Sequence, residues 1–201
     1  MSYAFLIETY ATERLKVLSV WSLFHEEDVD VRPRPGDPRG RTPREHMVHQ
    51  CVSEDLWFRT MLGIDVAAPP LPDEEGRTDF QRRYAEDSRK RLDALRHRPD
   101  SWWEEEVPFF DVRRSRAWVM VRRIAHTAHH RGQQTALLRV LGRDVYSTYG
   151  PTADTGGLLQ HRAPTVYPYS DERTLLGDID AAGAGRRPLP ALGERPVTER
   201  P

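Results

Sequence analysis

The chain is poor in cysteine, in lysine and in long apolar runs. A single cysteine, Cys51, among 201 residues leaves no partner for an internal disulfide and no CxxC motif for metal or redox chemistry. It fits a reducing compartment. Lysine is confined to Lys16 and Lys90, so arginine carries nearly all the positive charge, a bias that by itself points to no ligand. Lys+Arg 30 against Asp+Glu 31 gives a formal net charge of -1, too little field to draw in a phosphate backbone or an anionic membrane surface. No nucleic-acid or membrane partner is expected. No run of about 18 apolar residues occurs, and the N-terminal Phe5-Leu6-Ile7 is cut short by Glu8, so neither a spanning helix nor a signal segment is expected. The expected location is the cytoplasm.

What the chain does have is helical periodicity. Residues 4–25 contain no glycine or proline, and Leu6, Tyr10, Leu18, Trp21 and Phe24 recur at helical spacing. The next stretch, Asp28 to Arg41, holds Pro33, Pro35, Gly36, Pro38 and Gly40 and reads as a connection. Thr42-Pro43-Arg44-Glu45 is a capping box with proline at the first helical position, so a second helix should run from Pro43 to about Leu62 and stop at Gly63. A proline-rich linker, Ala67 to Pro72, leads to a third helix with Phe80, Tyr84, Leu92 and Leu95 on one stripe. Between Trp102 and Phe110, four aromatics around three glutamates suggest an ordered connection that either packs over one end of the bundle or roofs a pocket. A fourth helix is expected from about Ser115 to Leu141, closing at Gly142.

Four helices with one apolar face each predict an all-α, four-helix-bundle fold. Residues 1–150 would form this metal-binding bundle. Residues 151–201 are rich in glycine and proline and would form an irregular extension packed on it, with one short helix from Ser170 to Ala182 capped by Ser170.

The histidines carry the chemistry. Five of the eight fall in two clusters: His46 and His49 early in the second helix, and His126, His129 and His130 in the fourth. His126 and His130 are four apart, so their rings stack on one helical face, with Cβ atoms about 6 Å apart. Each can point a nitrogen at one ion. His49 shares a face with Val52 and Leu56 and should look inward to supply a third ligand, while His46 lies nearer the helix boundary. Three imidazoles leave coordination positions open for water or substrate. A pair at this spacing also occurs as two partly solvated histidines, and a neutral buried pair can satisfy itself. His129 reads as a surface or supporting residue.

Taken in order, His126-Thr-Ala-His-His130-Arg-Gly-Gln133, preceded by His46-Met-Val-His49-Gln-Cys-Val-Ser-Glu54 and followed by Gly150-Pro-Thr-Ala-Asp154, resembles the DinB/YfiT-like family of four-helix-bundle metalloproteins. The resemblance spans about residues 4 to 150. It implies one divalent transition metal, zinc, nickel or iron, on His49, His126 and His130, and a homodimer. It further implies either a metal-dependent hydrolase or an S-transferase acting with a low-molecular-weight thiol on a small-molecule substrate. The alternative is a non-catalytic metal-binding or stress-associated dimer. No catalytic side chain can be named from sequence.

Other candidates have simpler readings beside the functional one. Cys51 lies about 200° round the helix from His49 and reads as core. Glu45 is a capping residue, and Ser53, Glu54 and Asp55 read as a solvated or dimer-facing edge. Gln133 shares a face with His126 and either orients a metal-bound water or is a polar residue near the bundle end. Arg122, Arg123 and Arg131 either receive an acidic substrate group or pair at the surface with acids of the third helix.

Overall fold

The computed structural model describes residues 3–71, 74–179, 181 and 183–191. The long helices are α1 (Ala4–Leu23), α2 (Pro43–Thr60), α3 (Arg77–Arg96) and α5 (Arg116–Val140). Two shorter ones, α4 (Asp100–Glu104) and α6 (Glu172–Gly177), three 3-10 turns (Glu26–Asp28, Ala153–Thr155 and Leu159–His161) and one antiparallel hairpin, β1 (Glu106–Phe109) with β2 (Val112–Ser115), make up the rest of the regular structure among the described residues. The chain is an all-α bundle.

Local signals set the helix ends. Thr42 Oγ1 accepts from the Glu45 amide at 3.1 Å and Glu45 accepts from the Thr42 amide at 2.9 Å, the reciprocal cap that starts α2. At the far end of α5, Gly142 takes φ +67°, which lets the Arg143 amide turn back to Leu138 O at 2.9 Å. Between Trp102 and Phe110 the connection is more regular than its sequence implies: α4 buries Trp103, and the hairpin turns at Phe110 (φ 52°). In the extension, the helix is shorter than expected. Asp171, not Ser170, caps it, accepting from Thr174 N at 2.9 Å, and it ends at Gly177. Its expected terminus Ala182, like Pro72 of the linker and the C-terminal Pro196 and Pro201, lies outside the described residues.

Two apolar clusters mark the two ends of the bundle. One joins Trp21 of α1 and Phe24 just past its end, Met47 and Cys51 of α2, Phe80 and Tyr84 of α3, and Leu138 of α5. The other joins Leu6 and Tyr10, Trp57 and Phe58, Leu92 and Leu95, and Val119 and Met120 of the same helices. Each fully buried leucine or phenylalanine here contributes about 1.5–3 kcal/mol. Following the residue numbers from cluster to cluster, α1 and α5 run one way and α2 and α3 the other. α1 and α2 each pack between α3 and α5, so α2 and α5 are antiparallel neighbours rather than helices facing across the bundle. Because α2 and α3 are parallel, the connection from Met61 to Gly76 must travel back along the bundle, which explains its proline content. Arg83 pins it by donating to the carbonyls of Pro69 and Pro70.

The segment after Gly150 returns to the first cluster, where Tyr169, Leu175 and Ile179 are buried. Arg14 of α1 clasps both carboxylate oxygens of Glu172, at 2.5 and 2.8 Å, and Arg186 donates to Ser22 O.

Candidate metal centre

Helix α2 turns a mixed face to the core. Met47, Gln50, Cys51, Glu54, Trp57 and Phe58 are its buried residues at helical spacing, whereas Val52 and Leu56 are 51% and 44% exposed. The inward face is therefore rotated from the one that Val52 and Leu56 suggest, because two polar residues, Gln50 and Glu54, occupy core positions. His49 lies half-buried at the seam with α5, and His46 is fully inside, at 4% exposure, rather than at a fraying boundary. On α5, His130 is buried and His126 half-buried on the same seam, while His129 is exposed.

The seam brings the three rings together. His126 Nε2 lies 3.4 Å from His49 Nε2 and 3.2 Å from His130 Nε2, and the nearest ring nitrogens of the three residues fall within 4.8 Å of one another. Two of the rings, His130 and His126, are held from behind. Gln133 Oε1 lies 2.8 Å from His130 Nδ1, which fixes the proton on Nδ1 and leaves the Nε2 lone pair facing the cluster. Trp57 stacks on His126 at 5.7 Å between ring centres, and the hairpin aromatics Phe109 and Phe110 pack on Trp57 in turn. Arg123 Nη1 reaches His126 Nδ1 at 3.4 Å.

Burial and charge keep these rings neutral. Desolvation, with repulsion from neighbouring histidines and from Arg41, lowers His46 and His49 to about 4. His126 falls to about 3, chiefly through desolvation and the Arg123 charge, and His130 is lowered for the first of these reasons. Neutral imidazole is the metal-binding form.

Beneath the histidines lies a buried polar layer between the two apolar clusters. Glu54, fully buried, accepts from Tyr10 Oη at 2.6 Å and Tyr84 Oη at 3.1 Å, and faces Arg91 and Arg123 at 3.4 Å each. Arg123 also donates to Ser53 Oγ at 3.0 Å, and Gln134 Nε2 to Gln50 Oε1 at 2.8 Å.

The DinB family model matches residues 28–160. The chain belongs to the DinB family. Among solved structures, this DinB chain is similar to a DinB-like protein from Bacillus cereus ATCC 10987, with 19% identity and a TM-score of 0.63 over 72% of this chain and 95% of that one. It is also similar to a DinB-like protein from Bacillus subtilis, with 12% identity and a TM-score of 0.56 over 68% and 92%. At these identities the likeness concerns the fold. A comparison with curated proteins finds no match.

The donor set of this DinB chain suits a borderline divalent ion, since three imidazole nitrogens converge and the His126 Nε2 lies 3.2 and 3.4 Å from its two neighbours, about the separation of donors that sit roughly 2.0–2.1 Å from one tetrahedral ion. Several residues take other places than their sequence suggests. Glu54 and Ser53 are not an exposed edge but the base of the site. Arg123 and Arg131 are buried and pair with Glu54 of α2 and Glu13 of α1, not at the surface with α3 acids. Arg122 lies over the Trp118 ring at 5.9 Å. Gln133 orients His130 itself. Cys51 is core, and burial and the nearby Glu54 push its thiol well above the usual range, so it is no nucleophile.

Proposed function

We propose that this DinB-family protein holds one divalent transition metal, zinc, nickel or iron, on His49, His126 and His130. The bundle over residues 1–150 carries the site, and the extension over 151–201 packs on the bundle. The convergence of three Nε2 atoms within reach of one ion, with His130 already held in the ligating tautomer, carries this reading. When bound, such an ion supplies Lewis acidity and lowers the pKa of a bound water or thiol. This chain's own residues do the rest. Trp57 and the hairpin aromatics close the site on one side, and Gln133 holds the His130 ring. We assign a metal-dependent reaction on a small molecule, either hydrolysis or S-transfer from a low-molecular-weight thiol, in a cytoplasmic homodimer. Val52 and Leu56 of α2 with Trp118 and Val121 of α5, all exposed, support a self-association face beside the site.

One observation favours a second reading, a non-catalytic metal-binding or stress-associated dimer. The carboxylates nearest the cluster are engaged: Glu45 by Arg32 and the Thr42 amide, Glu54 by two tyrosines and two arginines. Neither is free to act as a general base. Elemental analysis of protein purified without a histidine tag, followed by thiol-transfer and hydrolysis assays with the ion found, separates the readings. A stoichiometric metal with no turnover in either assay favours the second, and a metal-free protein removes both.

A further inference from the structure

Beside the histidines opens a cleft of about 740 Å³ between the Pro/Gly-rich loop and the facing ends of α2 and α5. Pro33, Pro38, Ala136 and Leu137 give it an apolar wall, and Arg41, His46 and Gln133 a polar one. The charges of this loop are mostly spent on each other. Arg32 forms a two-point pair with Glu45 at 2.6 and 3.0 Å, Arg39 does the same with Asp37 at 2.8 and 2.7 Å, and Arg44 pairs with Asp30 at 2.8 Å. Arg41 has no such partner among the described residues, and it stands on the cleft wall. Its charge reaches His46, His49 and His130.

Two further polar side chains line the same cleft. His46 is 4% exposed, yet its Nδ1 has no hydrogen-bond partner, an unusual state for a buried polar atom. Gln133 gives its oxygen to His130, which leaves the amide Nε2 to donate into the cleft. The one acid on the wall, Glu45, is neutralised by Arg32. The wall thus offers hydrogen-bond donors and one net positive charge beside apolar surface.

We propose that this cleft binds the carboxylate of a small organic anion, with the Arg41 guanidinium as its charge partner, His46 Nδ1 and Gln133 Nε2 as neutral donors, and the apolar wall covering its hydrocarbon body. Calling this anion the substrate rests on the metal-centre reading, whereas the anion site itself does not. Two of the cleft's lining residues touch the cluster: the His46 ring lies 5.5 Å from that of His130 between centres, and Gln133 bonds to His130.

The test is calorimetric titration of benzoate, acetate and inorganic phosphate into the full-length protein, before and after chelation of metal, with elemental analysis of every sample. Wild type should bind benzoate, and more tightly than acetate. Arg41→Ala should weaken benzoate by about tenfold or more, as expected for loss of a charged hydrogen-bonding partner, while Arg41→Lys keeps part of the affinity. Arg34→Ala, which removes another cation of the same loop outside this cleft, should leave it unchanged. Thermal denaturation of each variant confirms that it is folded. The proposal is overturned if benzoate does not bind, if Arg41→Ala binds it as wild type does, or if Arg34→Ala weakens it equally. Phosphate binding tighter than benzoate overturns the carboxylate assignment. Benzoate binding that vanishes on chelation yet survives in Arg41→Ala also overturns it, since the ion alone would then hold the anion. Wild type that carries no metal as purified, yet binds benzoate through Arg41, defeats the metal reading and leaves the cleft assignment standing.

Discussion

Gln133 Oε1 lies 2.8 Å from His130 Nδ1 and so decides which nitrogen of that ring carries the proton. An amide oxygen can only accept, so the hydrogen sits on Nδ1 and Nε2 is left free to ligate. Gln133→Ala should therefore weaken metal binding by about tenfold, in line with loss of a group that orients a ligand. Competition against a chromophoric chelator measures this. An unchanged affinity would mean that the ring is held by its packing alone.

The ligand set makes a sharper demand. His49→Ala should cost as much metal as His126→Ala or His130→Ala, roughly tenfold or more for each, because any one loss leaves only a pair. His46→Ala and His129→Ala should cost much less: His46 lies 5.5 Å from the His130 ring between centres but contributes no atom to the converging set, and His129 is exposed. Elemental analysis after dialysis gives the ranking. If His46→Ala strips the ion while His49→Ala keeps it, the assignment on α2 is wrong.

Acid should act later than free histidine implies. With His46 and His49 lowered to about 4 and His126 to about 3, protons compete poorly with an ion until the pH nears those values. The sign for stability follows from the same shifts. Below about 6.5 the unfolded chain takes up protons that the folded chain refuses, so stability falls as pH drops from there toward about 4. Metal occupancy and thermal midpoint recorded from pH 7 to pH 4 should show occupancy persisting below pH 6. Half-loss near 6.5 would indicate rings far more solvated than these.

Glu54 is where the largest stability loss is expected. Glu54→Ala leaves Arg91 and Arg123 buried without their shared carboxylate, which typically costs about 3–5 kcal/mol, whereas losing an exposed pair such as Lys90 with Glu86 should change little. Urea denaturation of Glu54→Ala and Glu86→Ala makes the comparison. Equal losses would contradict the buried layer.

Leu175 tests whether the extension belongs to the fold. It is 1% exposed and packs in the same cluster as Trp21 and Tyr84, so Leu175→Ala should destabilise the whole bundle by about 2–4 kcal/mol. One cooperative transition at a lowered midpoint is the expected result. An unchanged midpoint would mean that the extension melts on its own.

Much of this was readable from the chain because the signals were local. The Thr42 to Glu45 cap, the breakers between helices and the four-residue spacing of His126 and His130 each lie within a few residues, and each specifies its element regardless of the rest. What escaped depends on contacts between distant segments. Glu54, Arg123 and Arg131 look like surface residues in any window of sequence, and only partners dozens of positions away permit their burial. The same holds for α2, whose core face carries Gln50 and Glu54, so hydrophobic spacing alone turned it toward Val52 and Leu56. His46 does lie in the first turn of α2, and its burial comes from the same rotation of the helix. Arg41 had no local signal: its isolation is visible only once the neighbouring arginines have been matched to their acids.

The connection from Met61 to Gly76 acts as a ruler. It spans sixteen positions, and at about 3.3 Å per extended residue it reaches roughly 50 Å, while the 18 residues of α2 it must retrace measure about 27 Å. The slack is real but finite. Trimming a few residues should leave the bundle's handedness and helix order intact. Trimming until the reach falls below one helix length would force α3 to run antiparallel to α2 and rearrange every seam, the one carrying the histidines included.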